Sequence, residues 1–215
     1  MELNDVDRRI WQEELDEFVP GRVFDVHTHV YRWAFNTDPE KESGALFITF
    51  GRRFPESTWA ALDACDRVLF PGRRVHRLAF PFPFWPRCDF EAANRFAARE
   101  VGSDRLSGAL MVVHPEMTAD DLDEQVERHG FLGFKPYRFY SASGDPVDCR
   151  ITDFLPEHQI RVTDRRGLIV TLHLAKRDGD CRSRKHRRPV ATLRRLSERE
   201  MDSGALRAEL LGLGH

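Results

Sequence analysis

The chain has 215 residues, 33 of them basic and 35 acidic, for a formal net charge of −2. That balance supplies no global field to draw it onto nucleic acid or anionic lipid. A hydrophobic fraction of 41%, with 16 phenylalanines, excludes an intrinsically disordered chain and leaves ample material for one core. No apolar run approaches the roughly 18 residues of a membrane helix, and the acidic, amphipathic start does not read as a signal peptide. The cysteines, Cys65, Cys88, Cys149 and Cys181, lie far apart with no CxxC pair, so neither a disulfide framework nor a zinc knuckle is expected. The expectation is a cytoplasmic, soluble protein with a small-molecule substrate, no nucleic-acid partner and no membrane partner.

In chain order, Leu3, Val6, Ile10, Trp11, Leu15 and Phe18 recur at helical spacing behind Asn4 or Asp5 as N-cap, and Pro20-Gly21 stops that helix. Residues 22–29 (RVFDVHTH) read as a strand with Phe24, Val26 and Thr28 on one face and Asp25, His27 and His29 on the other. Residues 30–55 mix aromatics, charges, Gly and Pro as a long loop or lid. A helix capped by Ser57 is predicted through Leu69, a strand over 75–82, a helix over 89–101, a strand over 107–114 and an acidic helix capped by Thr118 through His129. A strand over 130–137 (GFLGFKPY), a helix within 151–166 and a strand over 167–174 (GLIVTLHL) complete the pattern. Short apolar runs alternating with helices predict an α/β fold with a parallel sheet and crossover helices. The closure is either an open doubly wound sheet or a (β/α)8 barrel. No GxGxxG or GxxxxGK[ST] follows a strand, which weakens a nucleotide-binding version.

Either closure gathers ligands at the C-terminal ends of the strands. The first strand ends in His27-Thr28-His29, and residues i and i+2 project from one face, where two imidazoles can share a divalent ion. Nine histidines scattered at random give about 0.4 such pairs, so the spacing alone is weak. Its position after a hydrophobic run strengthens it, as does His173 near the end of another strand. The metal reading is therefore taken for His27, His29 and His173, against a solvated or core histidine. For His114, at the end of the 107–114 strand, a satisfied structural histidine is the better reading. Lys135 ends the fourth parallel strand, either as a cation for a substrate carboxylate or as a lysine whose stem packs while its head reaches water. Asp25 is a candidate to orient an imidazole, and Tyr31, Tyr137 and Arg138 are candidate substrate contacts.

FDVHTH, GFKPY and LIVTLHLAK, in this order over residues 22–178, resemble the amidohydrolase superfamily, in particular its amidohydrolase-related branch. The resemblance implies a TIM barrel with one or two divalent metals, zinc foremost, manganese or iron otherwise. It implies a hydrolase of amide, ester or related bonds; some relatives decarboxylate instead. His27 and His29 match the strand-one ligand pair and His173 the strand-five histidine. Lys135 falls where some members carry a carboxylated lysine, and is taken as the catalytic residue. The proton-moving group of that family is usually an aspartate at the end of an eighth strand.

A full barrel takes about 250 residues, and five strands are spent by residue 174. The expected fold is thus a partial (β/α)8 barrel of about five βα units over 1–178, ending in an irregular basic tail over 179–215. Residues 182–188 (RSRKHRR) carry five Lys or Arg without an acid. They read as a solvated segment rather than a nucleic-acid module, having no interleaved aromatics. The tail is consistent with shifted reading frames: one-base shifts of permitted codons turn 179–189 into AIADPGNIADP and 199–209 into ARWIPAHCAP. A natural divergent terminus and a designed truncation are the alternatives. On this reading the hydrolase is impaired, the barrel's unpaired edges favour a homo-oligomer, and a decarboxylase or a non-catalytic remnant are the other outcomes.

Overall fold

The computed structural model describes residues 2–38, 53–85 and 87–173. Most of the predicted lid, the end of the last strand and the whole 179–215 tail lie outside them.

The N-terminal helix begins where the sequence places its cap. Asn4 accepts a hydrogen bond from the Asp7 N–H (2.9 Å) and Asp7 accepts one from the Asn4 N–H (3.1 Å), a reciprocal cap that satisfies two orphan donors. Helix α1 (Asp5–Ile10) then widens into a π-type turn over Trp11–Leu15. Arg73 fastens this segment: its guanidinium lies 5.1 Å from the Trp11 ring, its Nη2 is 2.7 Å from Asp16 Oδ1, and its Nε donates to the Val19 carbonyl at 3.2 Å.

Among the described residues the further strands and α-helices are β1 (Arg22–Arg32), β2 (Glu56–Ser57), α2 (Trp59–Leu69), β3 (Arg74–Pro81), α3 (Phe90–Val101), β4 (Gly108–Val113), α4 (Ala119–His129), β5 (Gly133–Pro136), α5 (Ile151–Phe154), α6 (Glu157–Arg166) and β6 (Ile169–Val170). Thr58, Asp89 and Thr118 cap α2, α3 and α4 by accepting a backbone N–H. Gly130 (φ +68°) and Gly167 (φ +63°) end α4 and α6 in the left-handed conformation that glycine adopts without a Cβ penalty.

The strands form one sheet in the order β2-β1-β3-β4-β5-β6. All neighbours are parallel except β2, a two-residue strand that pairs antiparallel with the end of β1 through Tyr31↔Ser57 and Arg32↔Glu56. The molecule is therefore mixed α/β with a mostly parallel sheet. Among the described strands, the parallel ones follow chain order without a reversal, and the sheet is open, with β2 and β6 at its two ends. The predicted strand over 22–29 runs three residues further, because Tyr31 and Arg32 find partners in β2, which the sequence did not announce.

One helix-facing core combines Val30, Trp59, Ala79, Phe96 and Ala97; on the other face Leu78, Phe80 and Leu110 pack together. Fully buried side chains such as Val30, Phe80 and Leu110 each contribute about 1.5–3 kcal/mol. The buried Arg77 lies 4.8 Å from the Trp59 ring and is neutralised by Asp66 and by Asp63 at 3.2 Å, which ties β3 to α2.

Two backbone departures shape the C-terminal ends of the strands. Between Asp25↔Arg77 and Thr28↔Ala79, Val26 and His27 stand opposite Leu78 alone, a β-bulge. The alternation read from the sequence breaks there. Phe24 and Val26 are 50% and 64% exposed, while Thr28 and Val30 are buried. Further along, β3 and β4 pair only through Leu78↔Gly108 and Ala79↔Ala109. Past that point the buried Asn94 of α3 substitutes for a strand, donating to the Val112 carbonyl (2.9 Å) and accepting from the Val112 N–H (2.8 Å). Gly133 adds a third constraint: a Cβ there would lie 1.9 Å from the Ile169 carbonyl oxygen, so only glycine lets β5 and β6 approach this closely.

Cys65, Cys88 and Cys149 are free thiols. No helix among the described residues is long and apolar enough to cross a membrane.

Because Asn94 satisfies both polar groups of one buried residue, Asn94→Ala orphans a donor and an acceptor at once. A loss of about 2–4 kcal/mol in chemical denaturation is expected. The exposed neighbour change Arg95→Ala is expected to stay within about 0.5 kcal/mol.

Candidate functional site

The non-helical face of the sheet carries the predicted residues at the C-terminal ends of its strands. The Phe80 ring, fully buried on β3, is the floor. The His27 ring lies 4.9 Å and the His29 ring 5.0 Å from it, both edge-on, and the two imidazoles are 5.3 Å apart. From β5, Lys135 brings its ammonium to 4.7 Å from the same ring. Tyr137, two residues on and on the same face, has its ring 5.3 Å from the Lys135 Nζ. The His173 ring lies 5.5 Å from Tyr137 and 5.6 Å from Phe139.

Burial controls the charge state of this face. It pushes the His29 imidazole down to about 4, with His27 the next cause and Lys135 and His173 contributing. Burial and then Lys135 lower His27, and burial, Arg138, Lys135 and His27 lower His173. His29 thus feels the charge of His27 and His173, and His173 that of His27; all three favour the neutral form, in which a ring nitrogen offers its lone pair. Burial also lowers the Lys135 amine to about 8 and raises the Tyr137 phenol. Two polar atoms here are buried with no hydrogen-bond partner, His29 Nδ1 and the Tyr137 hydroxyl.

His27, His29 and Lys135 meet around one floor, and Tyr137 borders them through Lys135. His173 joins them through Tyr137 rather than through the histidine pair. Among the described residues, no three His, Cys, Asp or Glu side chains are gathered closely enough to hold a metal ion together. Asp25 does not orient an imidazole. Its Oδ1 accepts from the His27 backbone N–H (2.9 Å) and its Oδ2 from the Thr28 hydroxyl (2.6 Å), so it braces the bulge instead. His114 lies apart: its ring packs 4.5 Å from Phe90 and lines a groove of about 530 Å³ between α3 and α4, with Met117, Gln125 and His129. Tyr31 donates to the Phe54 carbonyl at 3.2 Å. Arg138 is bound to the Pro146 carbonyl and its guanidinium lies 5.0 Å from the Phe139 ring.

Sequence reasoning overlooked the aromatic wall. Phe82 contacts His29 (5.4 Å) and Tyr31 (5.5 Å), and Phe84 contacts Trp33 (5.4 Å). The signal was available: Phe80, Phe82 and Phe84 alternate with other residues, and such spacing sets aromatics on one side of an extended chain.

Compared with known proteins, the chain matches no family model, no curated protein and no solved structure.

Lys135 is 1% exposed, and no carboxylate lies within ion-pair reach of it among the described residues. Its ammonium therefore costs stability. Below pH 8 the amine is charged in folded and unfolded chains alike and the full cost is present. Between about 8 and its ordinary 10.5 the unfolded chain still binds the proton while the folded chain has released it, so stability rises with pH across that window. Lys135→Met is expected to stabilise the protein by about 1–3 kcal/mol at pH 7 and to flatten the rise between pH 8 and 10.5. Urea denaturation at several pH values measures both.

Proposed function

We propose that the chain is a metal-dependent hydrolase of the amidohydrolase-related kind, built on a partial (β/α)8 barrel and acting on an amide, ester or related bond of a small molecule. The observation that carries this reading is the His27–His29 pair. Two neutral imidazoles stand 5.3 Å apart at the C-terminal end of the first parallel strand, and the inner one has a buried nitrogen without a partner. The unreversed strand order supports the barrel over a doubly wound sheet, since a doubly wound sheet changes direction at its ligand crevice.

The donor set fits a divalent ion at the pair, zinc first and manganese or iron otherwise. His27 and His29 would hold it, with His173 as third ligand after turning from Tyr137. Such an ion supplies a bound water ionising near pH 7 and polarises a carbonyl. The chain's own groups do the rest. Phe80 fixes the imidazoles, and the aromatic wall excludes water from the reacting bond. Lys135 is the catalytic cation, holding the substrate's oxygen. A non-oxidative decarboxylase would use the same arrangement.

The open sheet and the ungathered histidine triad favour a second reading, a non-catalytic remnant that associates through its free edges. Metal content separates the two. A hydrolase is expected to retain close to one zinc, manganese or iron per chain after dialysis, and to lose most of it in the His27→Ala/His29→Ala double variant. It is also expected to cleave members of an ester and amide panel. A chain that holds no metal when supplied with it, and shows no turnover, is the remnant.

A further inference from the structure

The candidate site holds more unmet donors than the metal reading uses. The Tyr137 hydroxyl is fully buried and has no hydrogen-bond partner, on a residue 1% exposed. The Lys135 ammonium, on a residue equally buried, touches only the faces of Phe80 and Tyr137 among the described residues. The Arg138 Nε–H is a second fully buried donor without an acceptor. A buried donor left unmet loses its hydration without return, and rings satisfy an ammonium only in part. Two such donors and a desolvated ammonium, on consecutive or alternate residues and with no carboxylate in ion-pair reach of the ammonium among the described residues, call for an acceptor from outside.

We propose that Lys135 and Tyr137, flanked by Arg138, form a binding site for a small oxyanion, the carboxylate of the substrate. The geometry suits it. Residues i and i+2 of one extended segment direct both donors to the same side, so the ammonium can meet one carboxylate oxygen and the phenol O–H the same oxygen or its twin. His173 stands across from Tyr137, three residues past the end of the neighbouring strand, and its neutral ring adds no competing positive charge. The site deepens the hydrolase reading by making its substrate an acid, since the anion would sit beside the His27–His29 pair. It does not require the metal. It is distinct from a lysine modified to carry a carboxylate of its own, which would supply acceptors rather than seek one.

The test uses the full chain after chelator treatment, titrated with sodium acetate and, separately, inorganic phosphate, at an ionic strength held constant with chloride. Calorimetry and thermal shift read the binding. Acetate is expected to bind saturably and raise the melting temperature. Lys135→Met should abolish binding, and Tyr137→Phe should weaken it about tenfold or more, as for a lost hydrogen bond to a charged group. Tyr137→Phe should at the same time leave the unliganded protein as stable or more stable, because it removes an orphaned hydroxyl; a purely structural tyrosine would not separate the two effects. Arg95→Ala, a surface cation paired with Glu91, should change nothing. No saturable acetate binding, binding indifferent to both site variants, or binding of phosphate alone overturns the proposal. Acetate binding here, with no metal held by the untreated chain after dialysis, leaves this site standing and removes the hydrolase reading; metal held by the untreated chain, without acetate binding here, does the reverse.

Discussion

The two imidazoles and the one ammonium that β1 and β5 bring to the candidate site rest against one phenyl ring. Phe80 is touched by both imidazoles of β1 and by the ammonium of β5, and it is fully buried between Leu78 and Leu110. An aromatic face carries partial negative charge and its edge partial positive charge. The ring can therefore accept a cation on one side and imidazoles edge-on at another without itself forming a hydrogen bond to any of them. Those polar groups stay chemically available while being fixed in place. The same burial that holds Phe80 desolvates its neighbours, which is why the histidines favour neutrality and the lysine gives up its proton early. Packing and reactivity here have one cause.

The organisation of the sheet was legible because its signals are local. Apolar runs bounded by Gly, Pro and capping residues marked the five parallel strands, and Asn4 and Thr118 announced their helices by side chains that accept a backbone N–H three residues on. Face assignment was legible only as far as a strict two-residue period holds. The bulge at Val26–His27 defeats that period, and with it the grouping of Asp25 with the histidines. A bulge depends on which residues the neighbouring strand offers, and this one is stabilised by a carboxylate that looked like site chemistry. Strand β2 escaped notice for a related reason: two residues carry no period at all, and Glu56 and Ser57 pair only because the end of β1 is there to receive them.

The site was half legible. Histidines two apart at a strand end are visible in a sequence, as is a lysine after an apolar run. What each touches is not. That Lys135 would be enclosed by rings and that the Tyr137 hydroxyl would be left without a partner depend on how β3, β5 and the segment after β6 come together. His114 shows the opposite case. It sits at a strand end like the others, yet its ring turns toward Phe90 on α3, because β4 there has left β3 and takes Asn94 as its neighbour.

Gly133 gives the arrangement an unusual vulnerability. It stands two residues before Lys135, and its missing side chain is what allows β6, the strand leading to His173, to lie so near. One added methyl group at this point would have to displace main chain rather than a pliable side chain, and the displacement would be felt at the far end of the same strand. The spacing between amine and imidazole is thus written in an atom the protein does not have, and drift at that codon would reshape the candidate site without changing any of its polar residues.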